Sequence, residues 1–511
     1  MEILSPIFKG LMQLTGVLSI GLLLTLSFLD SDVKGGITNI KLVKKTKIFL
    51  LAWLLSTFAF ILIQISYLLQ QPFASSFDLT VIRSYLTQTA IGKSYIVQII
   101  GIIILLSIAL RRVITTYLCL LIGLIAIVAP VFQSHGSSSG RHGLAIGALV
   151  IHVIALSFWV GGLFGLTQLN KEQKLIALPR FSELALWSAI TVVITGAATA
   201  WTRLDSIEAW QSKYGVITLL KISLAITLVG FGALHRRWII KSDFPSIFRL
   251  ITAEIAIMFT TVFVGSWLST VAPPTRVVES TPAILITGIA MPEAPNLTRV
   301  LLAYDADGLM LALLIFAVAL YIKGVLILSR RGVKWPIGRT VAFAIGISAV
   351  DFATSGGLGV YSRFAFSNHM MAHMVLGMIA PIGIDPMPNK IPYLVKILII
   401  FVAMSIHAFF SISVMSATTL LDNGFFALLE RPWATDLLAD QKLGGSIGWA
   451  MGEIPILLAL LATFIQWQRA DKKEANRIDR AADRAAAMGE DDELAQYNRY
   501  LAQLNRRDLS Q

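Results

Sequence analysis

Residues 113–131 read VITTYLCLLIGLIAIVAPV, from Val113 to Val131, without one charged side chain. A helix that crosses a bilayer needs about 20 mostly apolar residues. Lipid offers backbone N–H and C=O groups no partner, so such a run must close its own hydrogen bonds as a helix. Arg111 and Arg112 precede it, and a Ser- and Gly-rich stretch from Ser134 to His142 follows it. The same alternation recurs at 7–29, 48–69, 94–110, 143–167, 184–201, 215–235, 250–271, 307–328, 337–354, 367–384, 391–416 and 445–467. With 113–131 these make about 13 spans, and the expected fold class is all-α, a polytopic transmembrane helical bundle.

Composition agrees. Of 511 residues, 56% are hydrophobic and only 14% are charged, against about 25% charged in a soluble domain. The mean hydropathy is +0.74. There is too little polar surface for a soluble enzyme or a disordered chain. Cys119 is the sole cysteine, which rules out an internal disulfide and any CxxC motif, so soft-metal chemistry falls to Met and His. The first apolar run lacks a basic leader and a small-residue cleavage site before Asp30, and it reads as a retained helix.

The formal net charge of +12 would suggest nucleic acid in a soluble protein. Here the basic residues sort by loop, and no nucleic-acid partner is expected. One alternate set holds Lys34, Lys41, Lys44, Lys45 and Lys47, then Arg111 and Arg112, then Lys171, Lys174 and Arg180. It continues through Arg236, Arg237, Lys241 and Arg249 to Arg330, Arg331, Lys334, Arg339 and Lys390. The opposite set holds only scattered Lys and Arg. The positive-inside rule makes the rich set cytoplasmic, which predicts an extracytoplasmic N-terminus, a cytoplasmic C-terminus and a bacterial cell membrane location.

The longest outer connection, 272–306, carries Ala272-Pro273-Pro274 and Met291-Pro292-Glu293-Ala294-Pro295. It divides the chain into a membrane domain over 1–275, a connecting segment over 276–306 and a second membrane domain over 307–468. The remainder, 469–511, mixes Arg469, Lys472, Lys473 and Arg477 with Asp471, Glu474 and Asp479. Opposite charges three and four apart suit a solvated cytoplasmic helix.

The densest chemistry lies in Ser367-Asn368-His369-Met370-Met371-Ala372-His373-Met374. His369 and His373 stack on one helical face, and Met370 and Met374 form a second pair, about 100° round the helix. Met378 extends the second stripe. Thioether sulfur selects Cu(I), and imidazole also suits copper, so the expected metal ligands are His369, His373, Met370 and Met374. His407, in the next span, falls at a similar depth. In the first domain His135 and His142 flank a polar outer loop, and His152 follows about 15 Å deeper. These three complete the candidate ligand set. Gly161 and Gly162, after Trp159, permit close helix approach. The competing reading gives Met to packing and His to interhelical hydrogen bonds. His235, beside Arg236 and Arg237, is expected to be a topology residue. Among intramembrane charges, Asp351 and Glu453 fall in outer halves, Glu254 and Lys221 nearer the inner side. No Walker sequence, HExxH or phosphorylation motif stands out, so neither ATP use nor enzyme chemistry is expected.

Two resemblances attach to these residues. His152 through Trp159-Val160-Gly161-Gly162-Leu163, with Phe181-Ser182, Thr195-Gly196 and Tyr214-Gly215 through Lys221, resembles the CopD copper-resistance membrane domain. The second half resembles the CtaG-type (caa3) cytochrome c oxidase assembly factor. The match there runs through Trp335-Pro336, Arg339 to Phe343, Phe366 to Met374, Ile379-Ala380-Pro381, Asp440 to Gly445, Trp449 to Pro455, and the tail. The fused order looks like the CopD–CtaG proteins of actinobacteria. One departure is local: Pro381 runs almost at once into Asp385-Pro386, where that family places a loop, a further pair of spans and a His-bearing helix.

The resemblance implies copper, as Cu(I), moved across the cytoplasmic membrane and supplied to a haem-copper oxidase. The implied partners are the lipid bilayer, cytochrome c oxidase subunits and an extracytoplasmic copper donor. Two alternatives stay open from the residues: a membrane haem b oxidoreductase using His152 or His407, and a metal-free oxidase assembly scaffold.

Overall fold

The computed structural model describes residues 3–29, 39–110, 113–133, 142–204, 206–240, 244–274, 281–381, 391–487 and 493–508. No strand occurs among them, apart from an isolated bridge between Tyr304 and Gly356. The helices are α1 (Leu4–Leu24), α2 (Ile40–Leu69), α3 (Leu79–Gln88), α4 (Ala90–Ser107), α5 (Val113–Val128), α6 (His142–Leu156) and α7 (Gly162–Thr167). There follow α8 (Lys171–Trp201), α9 (Ile207–Gln211), α10 (Lys213–Ile240), α11 (Phe244–Leu268), α12 (Pro282–Thr287), α13 (Leu297–Leu302) and α14 (Gly308–Arg330). The last group is α15 (Ile337–Thr354), α16 (Gly357–Ser362), α17 (Phe366–Met374), α18 (Tyr393–Ser416), α19 (Leu437–Ala487) and α20 (Glu493–Asp508).

Helix starts follow side-chain capping. The Asn39 side chain accepts the amides of Lys41 and Leu42 to open α2, and Asp307 accepts those of Leu309 and Met310 to open α14. Asn170 and Gln173 bond reciprocally at the start of α8, satisfying amides that have no intrahelical partner. Lys47 does the converse job. Its ammonium donates to the carbonyls of Leu105, Leu106 and Ile108, each at 2.7 Å, and closes the C-terminal end of α4.

Twelve of the described helices are long and apolar enough to span a bilayer, and each falls on an expected span. The thirteenth, 367–384, is described as far as 381: α17 continues through a π-helical turn, Val375–Ile379, and remains helical to 381, and 382–384 lie outside the described residues. The charged tail is continuous with the last span, because α19 runs unbroken through Pro455 to Ala487.

The chain forms two compact units. The first comprises Met1–Ala294, Leu302–Val333 and Thr354–Gly356; the second comprises Pro295–Leu301, Lys334–Ala353 and Gly357–Gln511. In the first unit α1 is the axis: 83% of its apolar stretch is buried. Gly21 of α1 meets the backbone of Gly161, in a π-helical turn over Ser157–Gly161, so closely that a Cβ on either would overlap the main chain of the other helix. Gly165, one turn on, seats against Thr25. Small residues let these backbones touch, at Gly161 as expected, while Gly162 makes room for the side chains of Phe181 and Leu24. The same device joins α14 to this unit: Gly147 of α6 and Gly308 of α14 contact each other's backbone. The helix expected to open the second domain at 307 therefore packs with the first.

Candidate metal centre

In the second unit α17, α18 and α19 meet along a ridge of glycines. Gly444 faces Phe366 and Met370, Gly448 faces Met370 and Ser411, and Gly452 faces the His407 ring. With no side chains along this strip of α19, the partners approach its backbone. His407 then reaches the carbonyl of Gly448 through Nε2 at 3.0 Å. A carbonyl only accepts, so Nε2 carries the proton and Nδ1 of the neutral ring keeps its lone pair.

The start of α17 is held from the same helix. Asp440 accepts the amides of Phe366 at 3.0 Å and Ser367 at 3.2 Å. It also accepts Arg431 Nη1 at 3.0 Å, from a side chain with no exposed surface. Arg431 lies against the rings of Phe426 and Trp433. Next in sequence, Gln441 accepts the amide of Leu421 and donates to the carbonyl of Thr419, fixing the loop after α18. Asp440 and Gln441 entered the sequence reading only as part of a matching stretch. Their role rests on contacts 73 and 20 residues away, which no local pattern carries.

The expected four-donor arc does not assemble as one pocket. Met370 and Met374 are buried, at 5% and 2% exposure, and Met370 lies against the glycine ridge. His369 and His373 share a face as expected, but that face is exposed. The 100° between the stripes puts a packed helix under one and leaves the other open. Met370 and His407 both approach the Gly444–Gly452 ridge. Glu453 Oε1, beside Gly452, is buried without a hydrogen-bond partner, as is Ser411 Oγ.

In the first unit His152 is buried at 6% exposure. Its Nδ1 lies 3.0 Å from Thr195 Oγ1. The Thr195 hydroxyl proton is committed to the carbonyl of Thr191 at 2.6 Å, so Nδ1–H donates and Nε2 holds the lone pair. His152 lines a cavity of about 1270 Å3, as do Met12 and Met258. Lys221, expected nearer the inner side, lines this cavity together with Lys9, Arg203 and Lys213, and has no ion-pair partner among the described residues. His142 opens α6, and its side chain lies outside the described residues, as does the whole of His135. Among the described residues no three His, Cys, Asp or Glu side chains cluster to hold an ion.

Three family models match the chain in order. "Copper resistance protein D-like, N-terminal domain" covers residues 3–144, and "Copper resistance protein D" covers 175–268. "Cytochrome c oxidase caa3 assembly factor" matches in two pieces, 319–384 and 382–470. Those pieces overlap at residues 382–384, just after Pro381. Uncharacterized proteins of Mycobacterium bovis and Mycobacterium tuberculosis are each 27% identical over 313 residues, covering 43% of this chain. One of Mycobacterium leprae is similar to the same extent. The chain spans about half the length of these curated relatives, 47% of each. No solved structure matches.

Proposed function

We propose, from a chain that joins copper-resistance D segments to a caa3 oxidase assembly segment, that this multi-span membrane protein carries Cu(I) as cargo. The first unit moves the ion across the cell membrane, and the second supports its insertion into cytochrome c oxidase. The single observation that supports this reading best is shared by His152 and His407. Each has one ring nitrogen fixed by a hydroxyl or a backbone carbonyl, and the other left with a lone pair. Metal-ligating histidines are held in this way, the partner setting tautomer and ring orientation. Thioethers accompany both: Met12 and Met258 line the cavity of His152, and Met370 joins His407 on the glycine ridge.

The chemistry is ligand exchange, with no bond of the protein made or broken and no ATP consumed. Exposed His369 and His373 receive copper from an extracytoplasmic donor. Buried Met370 and Met374 and half-buried His407 hold it for oxidase subunits. Loop charge supports an extracytoplasmic N-terminus and a cytoplasmic tail. The basic side chains around the first cavity oppose a bare cation, so copper enters there as a neutral or anionic complex.

The test is Cu(I) competition against a chromophoric chelator, using the purified full chain and the Met370→Leu, His407→Ala double variant. An affinity at least tenfold weaker is expected in the variant. Unchanged stoichiometry and affinity would remove the second-unit site. One observation favours a second reading, a haem b protein: the His152 cavity is spacious and its Nε2 is uncommitted. A Soret band and a reducible α band in the purified protein would select it.

A further inference from the structure

The cavity of the first unit is more than a path to His152. Its lining includes Ser5, Gln64 and Gln133, near the ends of the helices that carry them, Pro273, beyond the end of α11, and, further along α1 and after α6, Val17 and Trp159. From Ser5 to Val17 along α1 is about 18 Å at 1.5 Å per residue. The deeper wall is largely aliphatic and aromatic.

Its charge is one-sided. Lys9, Arg203, Lys213 and Lys221 line it, and no Asp or Glu does among the described residues. Arg203 lies within electrostatic range of both Lys9 and Lys221. None of these four side chains has an ion-pair partner among the described residues. Arg203 donates through Nη1 to the Tyr214 hydroxyl at 2.8 Å, while its Nε is buried with no partner. The hydroxyl of Tyr85, a residue 92% buried in the same wall, is also unpartnered. Tyr85 precedes the span of α4, and burial pushes its phenol up to about 12, so it faces the cavity as a neutral donor. Intramembrane cations are costly and ordinarily paired. Here three line one cavity, from α1, α10 and the segment after α8, with neutral polar side chains but no carboxylate among the described lining residues.

We propose that this cavity binds an acidic amphiphile, a carboxylate or phosphate head on an apolar body, with the head held by Lys9, Arg203 and Lys221 and the body lying against Trp53 and Trp159. The compensating charge that is missing among the described lining residues is supplied by the ligand. Charge-assisted hydrogen bonds of this kind are short and about twice as strong as neutral ones, and the apolar wall adds area-proportional burial. This binding is independent of the copper reading and survives its failure.

The experiment uses tryptophan quenching in the purified full chain, in a neutral detergent. Dibrominated stearate, dibrominated phosphatidic acid and dibrominated phosphatidylcholine are compared as probes, with inorganic phosphate as a tailless competitor. Saturable quenching by either acidic probe is expected, lost in the Trp53→Phe, Trp159→Phe variant. The tighter of the two acids names the source of the head, fatty carboxylate or phospholipid. Lys9→Gln with Lys221→Gln raises the half-saturating concentration at least tenfold, and Lys9→Arg with Lys221→Arg restores it. Equal quenching by phosphatidylcholine would overturn the proposal, as would competition by phosphate alone at the concentration of the acids. Should the glutamine variant fail to fold, wild type still decides: acidic amphiphile raises its melting temperature above that in phosphatidylcholine, and the absence of that rise overturns the proposal.

Discussion

Asp440 accepts the backbone N–H of Phe366 at 3.0 Å on the carboxylate oxygen that Arg431 also reaches. One side chain thus anchors the start of α17, where a negative charge suits the helix dipole, and neutralises a buried guanidinium. Nη2 and Nε of Arg431 already lack partners. Asp440→Ala would leave that cation with no partner, at a cost of about 3–5 kcal/mol, plus about 1 kcal/mol for the lost cap. The Arg431→Met, Asp440→Ala double variant is expected to lose less than the sum of the singles. Thermal unfolding of the four proteins in detergent measures the coupling. Additive losses would mean that the pair does not act as a unit.

His407 sits where Gly452 leaves room. An alanine Cβ at 452 would overlap the imidazole ring, and neither helix backbone can give way easily. Gly452→Ala is expected to destabilise by about 1–3 kcal/mol, as overpacking does, and to weaken Cu(I) binding by breaking the bond to Gly448. Gly324→Ala is the control, since nothing lies within 4 Å of the added carbon. Alanine in an open helical position is favoured by about 0.5–1 kcal/mol. A Gly452→Ala protein as stable as the control, with unchanged copper affinity, would contradict the packing described.

Hydrophobic run length located the spans, because in lipid each helix must be apolar and internally bonded. The π-helical turns at Thr25–Leu29, Ser157–Gly161 and Val375–Ile379 escaped that reading, since apolar residues continue through them and only the backbone geometry differs. The His and Met stripes were legible as helical faces. Which face is covered was not, because it depends on the glycine ridge 70 residues away in α19. His152 and His407 were legible as polar groups in apolar runs. Their tautomers depend on Thr195 and Gly448, which are visible only once the helices pack. Lys9, Arg203 and Lys221 are isolated cations in sequence, and only folding gathers them round one cavity.

Exposure separates the histidines chemically. His369 and His373 are exposed, His407 is half-buried and His152 is 6% exposed. Diethyl pyrocarbonate should therefore modify His369 and His373 first and His152 last, read by peptide mass spectrometry of the detergent-solubilised protein. Added Cu(I) should slow the reaction at 369 and 373. Replacing both with alanine should change stability by no more than about 0.5 kcal/mol, as at ordinary surface sites. Early modification of His152 would show that its cavity wall is open to the reagent, against the burial observed.

The contact of Gly21 with Gly161 joins main chain to main chain, at the centre of the first unit. A flexible side chain could swing aside from an intruding methyl, but these backbones are tied into helical hydrogen bonds. Gly161→Ala should cost at least the upper part of the about 1–3 kcal/mol range for overpacking, and Gly161→Leu should prevent α1 from docking at all. Gly21→Ala should behave alike, and combining the two should not relieve either, since each methyl meets backbone. Gly230→Ala, with open space around it, should be tolerated. Size-exclusion profiles and melting temperatures of the purified variants decide this. A Gly161→Ala protein that melts with wild type would require α1 and the Ser157–Gly161 turn to sit further apart than they do here.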